Sequence, residues 1–278
     1  MDLFEGLGSL GLNNLEGMNL YEENQKDIKD RRVQKKEDNK LEEKDMIFDK
    51  SYSCVICDGK FKSKTVKTGK ARLLGADKDL RPKYDGIEPL KYEVVSCPFC
   101  GFTALSRFFV PMAPSQKRNI EEKICANVKP FDENGDVIDY QDALNRYKLA
   151  LATSVVKMAK NSEKAFTCLK AGWLARSYAE ELEKSGENES AHIREMEASF
   201  IRNAYDGFIS AVAEENFPIC GMDEQTMNYL LAVLAMRFEQ YDVSRKLVAN
   251  ILTSQVASSR MKDKARVLKE ELLNIRNK

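Results

Sequence analysis

Four cysteines, arranged as two C-x-x-C pairs, are the residues of this chain whose types and spacing best suit chemistry. The pairs are Cys54 with Cys57 and Cys97 with Cys100. A C-x-x-C spacing lets both sulfurs of one tight turn reach the same ion, and four thiolates suit tetrahedral zinc. Gly101 follows the second pair, where a glycine permits the positive φ that turns the chain beneath a metal. The sequence therefore predicts one structural Zn²⁺ ligated by these four cysteines.

Two other uses of the cysteines compete with a metal site. A disulfide framework is disfavoured because the chain has seven cysteines, an odd number, and lacks the basic start and apolar core of a signal peptide. A thioredoxin-like redox dithiol usually appears as one pair that opens a helix after a strand, whereas two pairs occur here. A thiol redox protein stays as the lesser alternative. Three more cysteines are expected to be small buried or half-buried side chains of the helical region, namely Cys125, Cys168 and Cys220.

Groups suited to catalysis are sparse in the sequence. A catalytic zinc keeps an open position for water, but four thiolates close the coordination shell. His192 is the single histidine of the chain, which excludes a hydrolase that holds zinc through several histidines, and we expect it to be a solvated helix residue. Adjacent acids such as Glu121 and Glu122 point about 100° apart on a helix, and no G-x-x-x-x-G-K phosphate loop occurs. The sequence therefore predicts no catalytic residues and no enzymatic activity.

Composition and charge favour a soluble globular protein. The chain has 278 residues, long enough for one large domain or two modest ones. Its 44 basic residues balance 44 acidic residues, whereas a protein that mainly binds nucleic acid usually carries a basic excess. Hydrophobic residues make up 43% of the chain, enough for a core, and no run of about 18 apolar residues predicts a membrane span. We expect a cytoplasmic protein that does not bind membranes.

Changes of pattern along the chain predict three segments. Residues 1–46 are expected to be a disordered or loosely helical charged N-terminal segment. The first 21 residues are apolar but contain four glycines, and they either dock on a partner, fold back on the protein or stay loose. Residues 47–112 are expected to form a zinc-ribbon-like module, and residues 113–278 a tetratricopeptide-like helical domain. The predicted fold class is α+β, mostly α, with a small β module followed by an antiparallel helical array.

Alternating apolar and polar residues beside the cysteine pairs predict hairpins. Strand-like runs cover residues 47–52, 60–66 and 90–95. The insert between the two pairs contains 39 residues, much more than a minimal zinc ribbon has. It is rich in glycine and proline, and it is expected to be mostly loop with one short strand near residues 71–74.

From about residue 114 onward the apolar spacing becomes helical. Helices are predicted over residues 116–128, 139–158, 162–184, 188–214, 223–238 and 241–275. Small and aromatic residues recur in the order typical of tetratricopeptide repeats, as in Ala171, Leu174 and Tyr178. Because Tyr178 and Ala204 lie 26 positions apart instead of roughly nine, an irregular helical bundle is the alternative.

Several motifs of the N-terminal half occur together in one known family. They are Cys54-Val-Ile-Cys57, Phe61, Arg72, Tyr84, Pro89-Leu90-x-Tyr92 and Val95-x-Cys97-Pro98-x-Cys100-Gly101-Phe102. With the helices that follow, the chain resembles an uncharacterised bacterial family of Clostridia and Bacilli that is named only as a domain of unknown function. The resemblance covers roughly residues 46–275, and it implies a C-x-x-C module before tetratricopeptide-like helices but no activity. The first cysteine pair departs from the pattern because Asp58-Gly59 follows it, which indicates an equivalent turn slipped by one residue.

These features favour an interaction or scaffold protein that binds a peptide or protein partner through its helices. Nucleic-acid binding by the zinc module is the alternative, because basic residues outnumber acids in the insert over residues 60–91. Phe61, Tyr84 and Tyr92 would stack on bases in that case. The sequence identifies neither the partner nor the pathway.

Overall fold

The structure, a computed structural model, describes residues 42–129, 135–186 and 189–276. The predicted apolar segment 1–21 and most of the charged stretch that follows it lie outside the described residues. The described part begins with a single 3₁₀ turn, Glu43–Met46, which leads directly into the first strand.

In the described part of the N-terminal half, six short strands form three separate antiparallel pairs. They are β1 (Ile47–Ser53), β2 (Lys60–Val66), β3 (Arg72–Ala76), β4 (Pro82–Asp85), β5 (Val94–Ser96) and β6 (Thr103–Leu105). β1 pairs with β2, β3 with β4, and β5 with β6. The first and third pairs end at the cysteine turns, since Ser53 lies opposite Lys60 and Ser96 lies opposite Thr103.

Seven α-helices occur in the described part of the chain. They are α1 (Pro114–Ile120), α2 (Tyr140–Val156), α3 (Asn161–Ser185), α4 (Ser190–Glu214), α5 (Glu224–Arg237), α6 (Tyr241–Thr253) and α7 (Ser259–Arg276). A π-helical turn, Glu121–Cys125, continues α1. From α2 to α7 each helix contacts the next one in sequence. The fold is therefore α+β and mostly α, with small strand pairs before a helical array, as the sequence predicts. The tetratricopeptide character of the array stays a prediction.

Three local expectations differ from the structure. The strand predicted over residues 90–95 begins only at Val94, because Pro89–Tyr92 forms a 3₁₀ turn capped by the Glu88 carboxylate, which accepts a hydrogen bond from the Leu90 N–H. The insert contains a complete hairpin, β3–β4, instead of one strand. The helix predicted over residues 241–275 is two helices, because the backbone becomes extended at Ser254 and the Ser258 hydroxyl accepts from the Met261 N–H to begin α7.

Helix ends and contacts follow from short polar and small residues. The Asp139 carboxylate accepts from the Asp142 N–H at the start of α2, and α3 ends at Gly186 in a left-handed conformation. α3 and α4 approach closely at Gly172, where a Cβ atom would come within 2.6 Å of the Ile201 side chain. Glycine at this position is therefore required by the packing of two helices.

One hydrophobic cluster joins part of the N-terminal half to the helices. Ile47, Leu90 and Val94 pack in the same cluster as the buried residues of α2 and α3. The buried Tyr147 of α2 donates a hydrogen bond from its hydroxyl to the Leu90 carbonyl at 3.1 Å. These contacts fix the orientation of the strand pairs on the helices. The division of the chain at residues 112 and 113 into two domains stays a prediction.

Every described helix is too short or too polar to cross a lipid bilayer.

Candidate metal centre

The four sulfurs predicted as ligands lie together in the structure. Their Sγ atoms all lie within 4.8 Å of one another. The Sγ atoms of Cys54 and Cys100 are 3.6 Å apart, and those of Cys57 and Cys97 are 3.7 Å apart. Both close contacts therefore join a sulfur of one pair to a sulfur of the other, so the two pairs face a common centre. These four cysteines can hold a metal ion.

The first cysteine turn is formed by the connection between β1 and β2. The Cys54 N–H donates to the Gly59 carbonyl at 2.9 Å, and the Asp58 N–H donates to the Cys54 carbonyl at 3.0 Å. Asp58 itself adopts the left-handed φ of 59°, which aspartate tolerates better than most residues. The expectation from the sequence, that this turn is slipped by one residue, is therefore wrong. Gly59 is needed for space, since a Cβ there would lie 2.5 Å from the Phe99 ring.

The second cysteine turn repeats the first between β5 and β6. The Cys97 N–H donates to the Phe102 carbonyl at 2.8 Å, and the Gly101 N–H donates to the Cys97 carbonyl at 2.9 Å. Gly101 has a φ of 72° and so occupies the position that Asp58 occupies in the first turn. A Cβ at Gly101 would lie 2.1 Å from a methyl carbon of Val128. Glycine is therefore required here by both conformation and space.

The thiols influence one another's protonation. The hydrogen bond with Cys100 lowers the pKa of Cys54 to about 5, and the same contact raises the pKa of Cys100. Burial raises the pKa of Cys97 to about 11. The opposite shifts of Cys54 and Cys100 have one cause, the hydrogen bond between their sulfurs, which favours the thiolate at Cys54 and the thiol at Cys100. A divalent cation stabilises further thiolates, because ligation removes their protons.

Aromatic and aliphatic side chains enclose the cysteines on the protein side. The set comprises Ile56, Phe61, Val95, Phe102, Phe109, Ile120 and Ile124, all buried. The rings of Phe102 and Phe109 lie 4.8 Å apart, centroid to centroid. Cys54 and Cys97 are buried against this core, whereas Cys57 is exposed and Cys100 is half-buried. The centre therefore lies at the edge of a small core closed by α1 and its π-helical turn.

Cys125 belongs to the surroundings of the centre, which the sequence did not indicate. It ends the π-helical turn after α1 and packs against the cysteine core. Burial raises the pKa of its thiol, while the nearby Cys100 acts to lower it. No C-x-x-C spacing marks Cys125, and only the fold brings it next to a cysteine 25 positions earlier. The Cys125 sulfur is not one of the four that group together. Cys125 is therefore a neighbour of the candidate metal ligands and not a ligand itself.

Among the other residues named from the sequence, Phe61 packs around the cysteines, whereas Cys168, Cys220, His192 and Tyr92 belong to other parts of the fold. Cys168 is buried and Cys220 is half-buried, which agrees with their expected role as small packing residues. His192 is exposed on α4, as predicted for a solvated helix residue. Phe61 and Tyr92 are buried, at 8% and 4% exposure, so they are not available to stack on bases. That part of the nucleic-acid hypothesis is therefore wrong for these two rings.

The dimensions of the sulfur cluster fit a tetrahedral ion. Sulfurs at 2.3 Å from a central zinc lie about 3.8 Å from one another. The two shortest sulfur–sulfur distances, 3.6 and 3.7 Å, are close to this value. Four sulfurs on one ion leave no position for a substrate or water. The donor set therefore suits an ion that stabilises structure.

Residues 47–272 match the family DUF2225, which is described as an uncharacterized protein conserved in bacteria. The chain belongs to this family, because the match extends over most of its length. No curated protein and no solved structure matches the chain.

Proposed function

Starting from membership of this family, we propose that the chain is a zinc-stabilised interaction protein whose helices bind a peptide or protein partner, and that it is not an enzyme. Zn²⁺ on Cys54, Cys57, Cys97 and Cys100 closes the N-terminal module, because a four-thiolate shell suits zinc. The ion contributes folding free energy to a module that has only short strands. The observation that carries the proposed interaction is an open apolar groove at the end of the helical array.

The groove lies between α6 and α7 and has a volume of about 380 Å³. Its lining is mainly aliphatic and comprises Val248, Ala249, Leu252, Leu272 and Leu273, with Thr253 beside them. Leu273 is 48% exposed. Apolar grooves between helices are common sites for amphipathic helices, which insert side chains spaced at i, i+3, i+4 and i+7. The groove therefore suits a short helical peptide with an apolar stripe.

Charge at the groove restricts the partner further. Arg245 and Lys269 are the charged residues among its described lining, and both are cationic. Arg245 forms an exposed ion pair with Asp242, which is 91% exposed and contributes little. Acidic side chains flanking the apolar stripe of the peptide would meet these two cations. We therefore assign an acidic amphipathic helix as the partner, carried by another protein.

A designed peptide tests this assignment. The probe is a fluorescent 16-residue helix with leucines at i, i+3, i+4 and i+7 and glutamates on both flanks, measured by anisotropy. Leu273→Ser should weaken its binding at least tenfold, because about 1.5 kcal/mol or more of apolar contact is lost. Val267→Ser is the matched control, since Val267 lies on the same helix at 56% exposure but outside the groove.

Three results would contradict the assignment. They are an absence of binding, an equal effect of both serine variants, and equal binding of a lysine-flanked peptide. Dimerisation of the protein that Leu273→Ser abolishes would instead identify the groove as an interface between copies of this chain. Sedimentation across a concentration series distinguishes these cases.

The exposed face of the β1–β2 hairpin favours nucleic acid as a second candidate partner. Residues 47–76 contain seven basic residues and two acidic ones. Lys60 and Lys62 are exposed and line a concavity of about 340 Å³ with Ser51 and Ser53 from the opposite strand. Cationic and hydroxyl groups of this kind contact phosphates. A single strand crossing this face would meet these lysines without needing the buried rings.

Salt dependence distinguishes this candidate. The probe is a fluorescent single-stranded 20-mer, which a Lys60→Ala/Lys62→Ala double variant should bind more weakly than the wild type. The slope of log K against log salt concentration should also be smaller by about 1.4, because two phosphate contacts are lost. Lys246→Ala/Lys262→Ala, on α6 and α7, is the matched control. Unchanged slopes in the hairpin variant would contradict phosphate contact by these two lysines.

A further inference from the structure

A second, more polar cleft lies between the insert and the helices. It has a volume of about 610 Å³ and is bordered by β4, the turn that holds Glu88, the start of α2 and the C-terminal half of α3. Apolar surface from Ile87, Ile138 and Tyr84 lines it together with charged side chains. The zinc centre and the groove between α6 and α7 contribute no residue to this cleft. The cleft is therefore a separate candidate binding site.

Three of the four cations that line the cleft are already paired with a carboxylate. The Arg81 guanidinium, 2% exposed, pairs with Glu180 at 2.7 Å. The Lys91 ammonium pairs with Glu43 at 2.7 Å. Lys83 pairs at 2.7 Å with Asp77, a residue outside the lining. Lys184 is the one lining cation for which the described residues provide no ion pair, and it is exposed at the rim.

Three lining carboxylates, in contrast, form no ion pair with a cation within residues 42–129, 135–186 and 189–276. The Glu88 carboxylate accepts hydrogen bonds from the Ser177 hydroxyl and the Leu90 N–H, yet no described Lys or Arg nitrogen pairs with it. Burial raises the pKa of Glu88 by more than its two hydrogen bonds and the nearby Arg81 charge lower it, so the carboxylate is incompletely compensated for its loss of water. Glu181 lies near Tyr140 at the rim, and Asp139 caps α2. The surplus charge of the cleft is therefore negative.

The Tyr140 ring is not free to bind a ligand cation. The Tyr140 ring stacks on the Tyr178 ring, with centroids 5.1 Å apart. The Lys91 ammonium lies 5.1 Å from the Tyr140 centroid and already provides a cation for this ring. Recognition must therefore come from the Glu88 carboxylate and from the apolar surface beside it. A ligand with a cation on an aliphatic chain suits this cleft. Its cation would pair with the desolvated carboxylate, and its chain would cover the apolar surface.

We propose that this cleft binds a primary ammonium group carried on an aliphatic chain, with Glu88 as its counter-ion. A lysine side chain of a peptide and a free linear diamine share this chemistry. Glu181 at the rim adds a weaker, screened attraction. The ammonium donates hydrogen bonds to the Glu88 carboxylate, and the methylene chain lies against Ile87 and Ile138.

Calorimetric titration of the full chain tests the proposal with two amines and a blocked control. The probes are 1,5-diaminopentane and an acetylated pentapeptide with one central lysine, and the control is the same peptide with its lysine acetylated. Both amines should bind at low salt and the control should not. Tighter binding of the peptide would identify a protein source, and tighter binding of the diamine a free-amine source.

The matched variants are Glu88→Gln and Glu270→Gln. Glutamine keeps an oxygen for the Leu90 N–H, and the Ser177 hydroxyl retains its contact with the Trp173 carbonyl, so the fold should persist, as circular dichroism will check. Glu88→Gln should weaken amine binding at least tenfold. Glu270→Gln, exposed on α7, should change it less than twofold. Glu181→Gln, a second cleft variant at the exposed rim, should weaken it about threefold.

The proposal is overturned by any of three results. These are no binding of either amine, equal binding of the acetylated control, or equal affinities in the wild type and a folded Glu88→Gln variant. None of these outcomes bears on the groove between α6 and α7, whose residues are untouched.

Discussion

At the residue scale, the two cysteine turns show how one geometry is met by two different side chains. The residue after the second cysteine adopts a positive φ in both turns, but it is Asp58 in one and Gly101 in the other. The difference lies in what packs against them. Val128 lies directly over Gly101, whereas no such contact requires a glycine at position 58. Aspartate tolerates the positive φ at position 58, whereas position 101 combines that φ with a close neighbour and therefore requires glycine.

Gly101→Ala should destabilise the protein. The added methyl would lie 2.1 Å from a Val128 carbon, and alanine would have to adopt the positive φ of this position. The clash and the backbone strain together should lower the free energy of unfolding by about 2–4 kcal/mol. Chemical denaturation of the metal-loaded protein measures this change. Adding Val128→Ala should recover the steric part of the loss, and Asp58→Gly should be nearly neutral. Full stability of Gly101→Ala alone would contradict the close contact.

At the element scale, an ion network joins the insert to three helices. The Arg176 guanidinium of α3 contacts Asp79 at 2.6 Å, Asp77 at 3.2 Å and Glu197 of α4 at 2.8 Å. Arg237 of α5 reaches the same Glu197 carboxylate at 2.9 Å. Burial disfavours the charge of Arg176, but its carboxylate partners raise the pKa of Arg176. The loop between β3 and β4 is therefore fastened to the helical array by charge.

Arg176→Met should cost about 3–5 kcal/mol of unfolding free energy, because the buried carboxylates of Asp79 and Glu197 lose a cation. Equilibrium denaturation measures this loss. Arg194→Met is the matched control, since Arg194 also contacts Glu197 but is 36% exposed. It should cost less than about 1 kcal/mol. Equal losses in the two variants would show that burial does not govern the network.

At the scale of the whole molecule, the metal module and the helices are coupled through a shared core. Met46, Ile87 and Leu105 pack with the helices, whereas Phe61 and Phe102 pack around the cysteines in a separate cluster. Loss of the ion should therefore loosen the cysteine turns first. The strand residues that pack with the helices should keep their protection.

The sequence predicted those features that depend on neighbours in the chain. The C-x-x-C spacing located all four grouped cysteines, and apolar periodicity located α2 to α5 within a few residues. The break between α6 and α7 was missed because the apolar pattern continues on both sides of Ser254 and Ser258, and these two serines alone did not indicate a helix end. The contact of Asp79 with Arg176 spans 97 positions, and no local pattern carries such information. The same reason hid Cys125 and the cleft that contains Glu88.

The most direct test of the account is the metal content of the purified protein. Native mass spectrometry should find one zinc per chain, and Cys97→Ser should lose it. Zinc binding to structural sites is worth about 10–16 kcal/mol, so chelation should abolish amide-exchange protection in both cysteine turns and leave α3 to α5 protected. A metal-free protein with unchanged turns, and with reversible oxidation of Cys54 with Cys57 or Cys97 with Cys100, would contradict the zinc centre and favour a thiol redox protein.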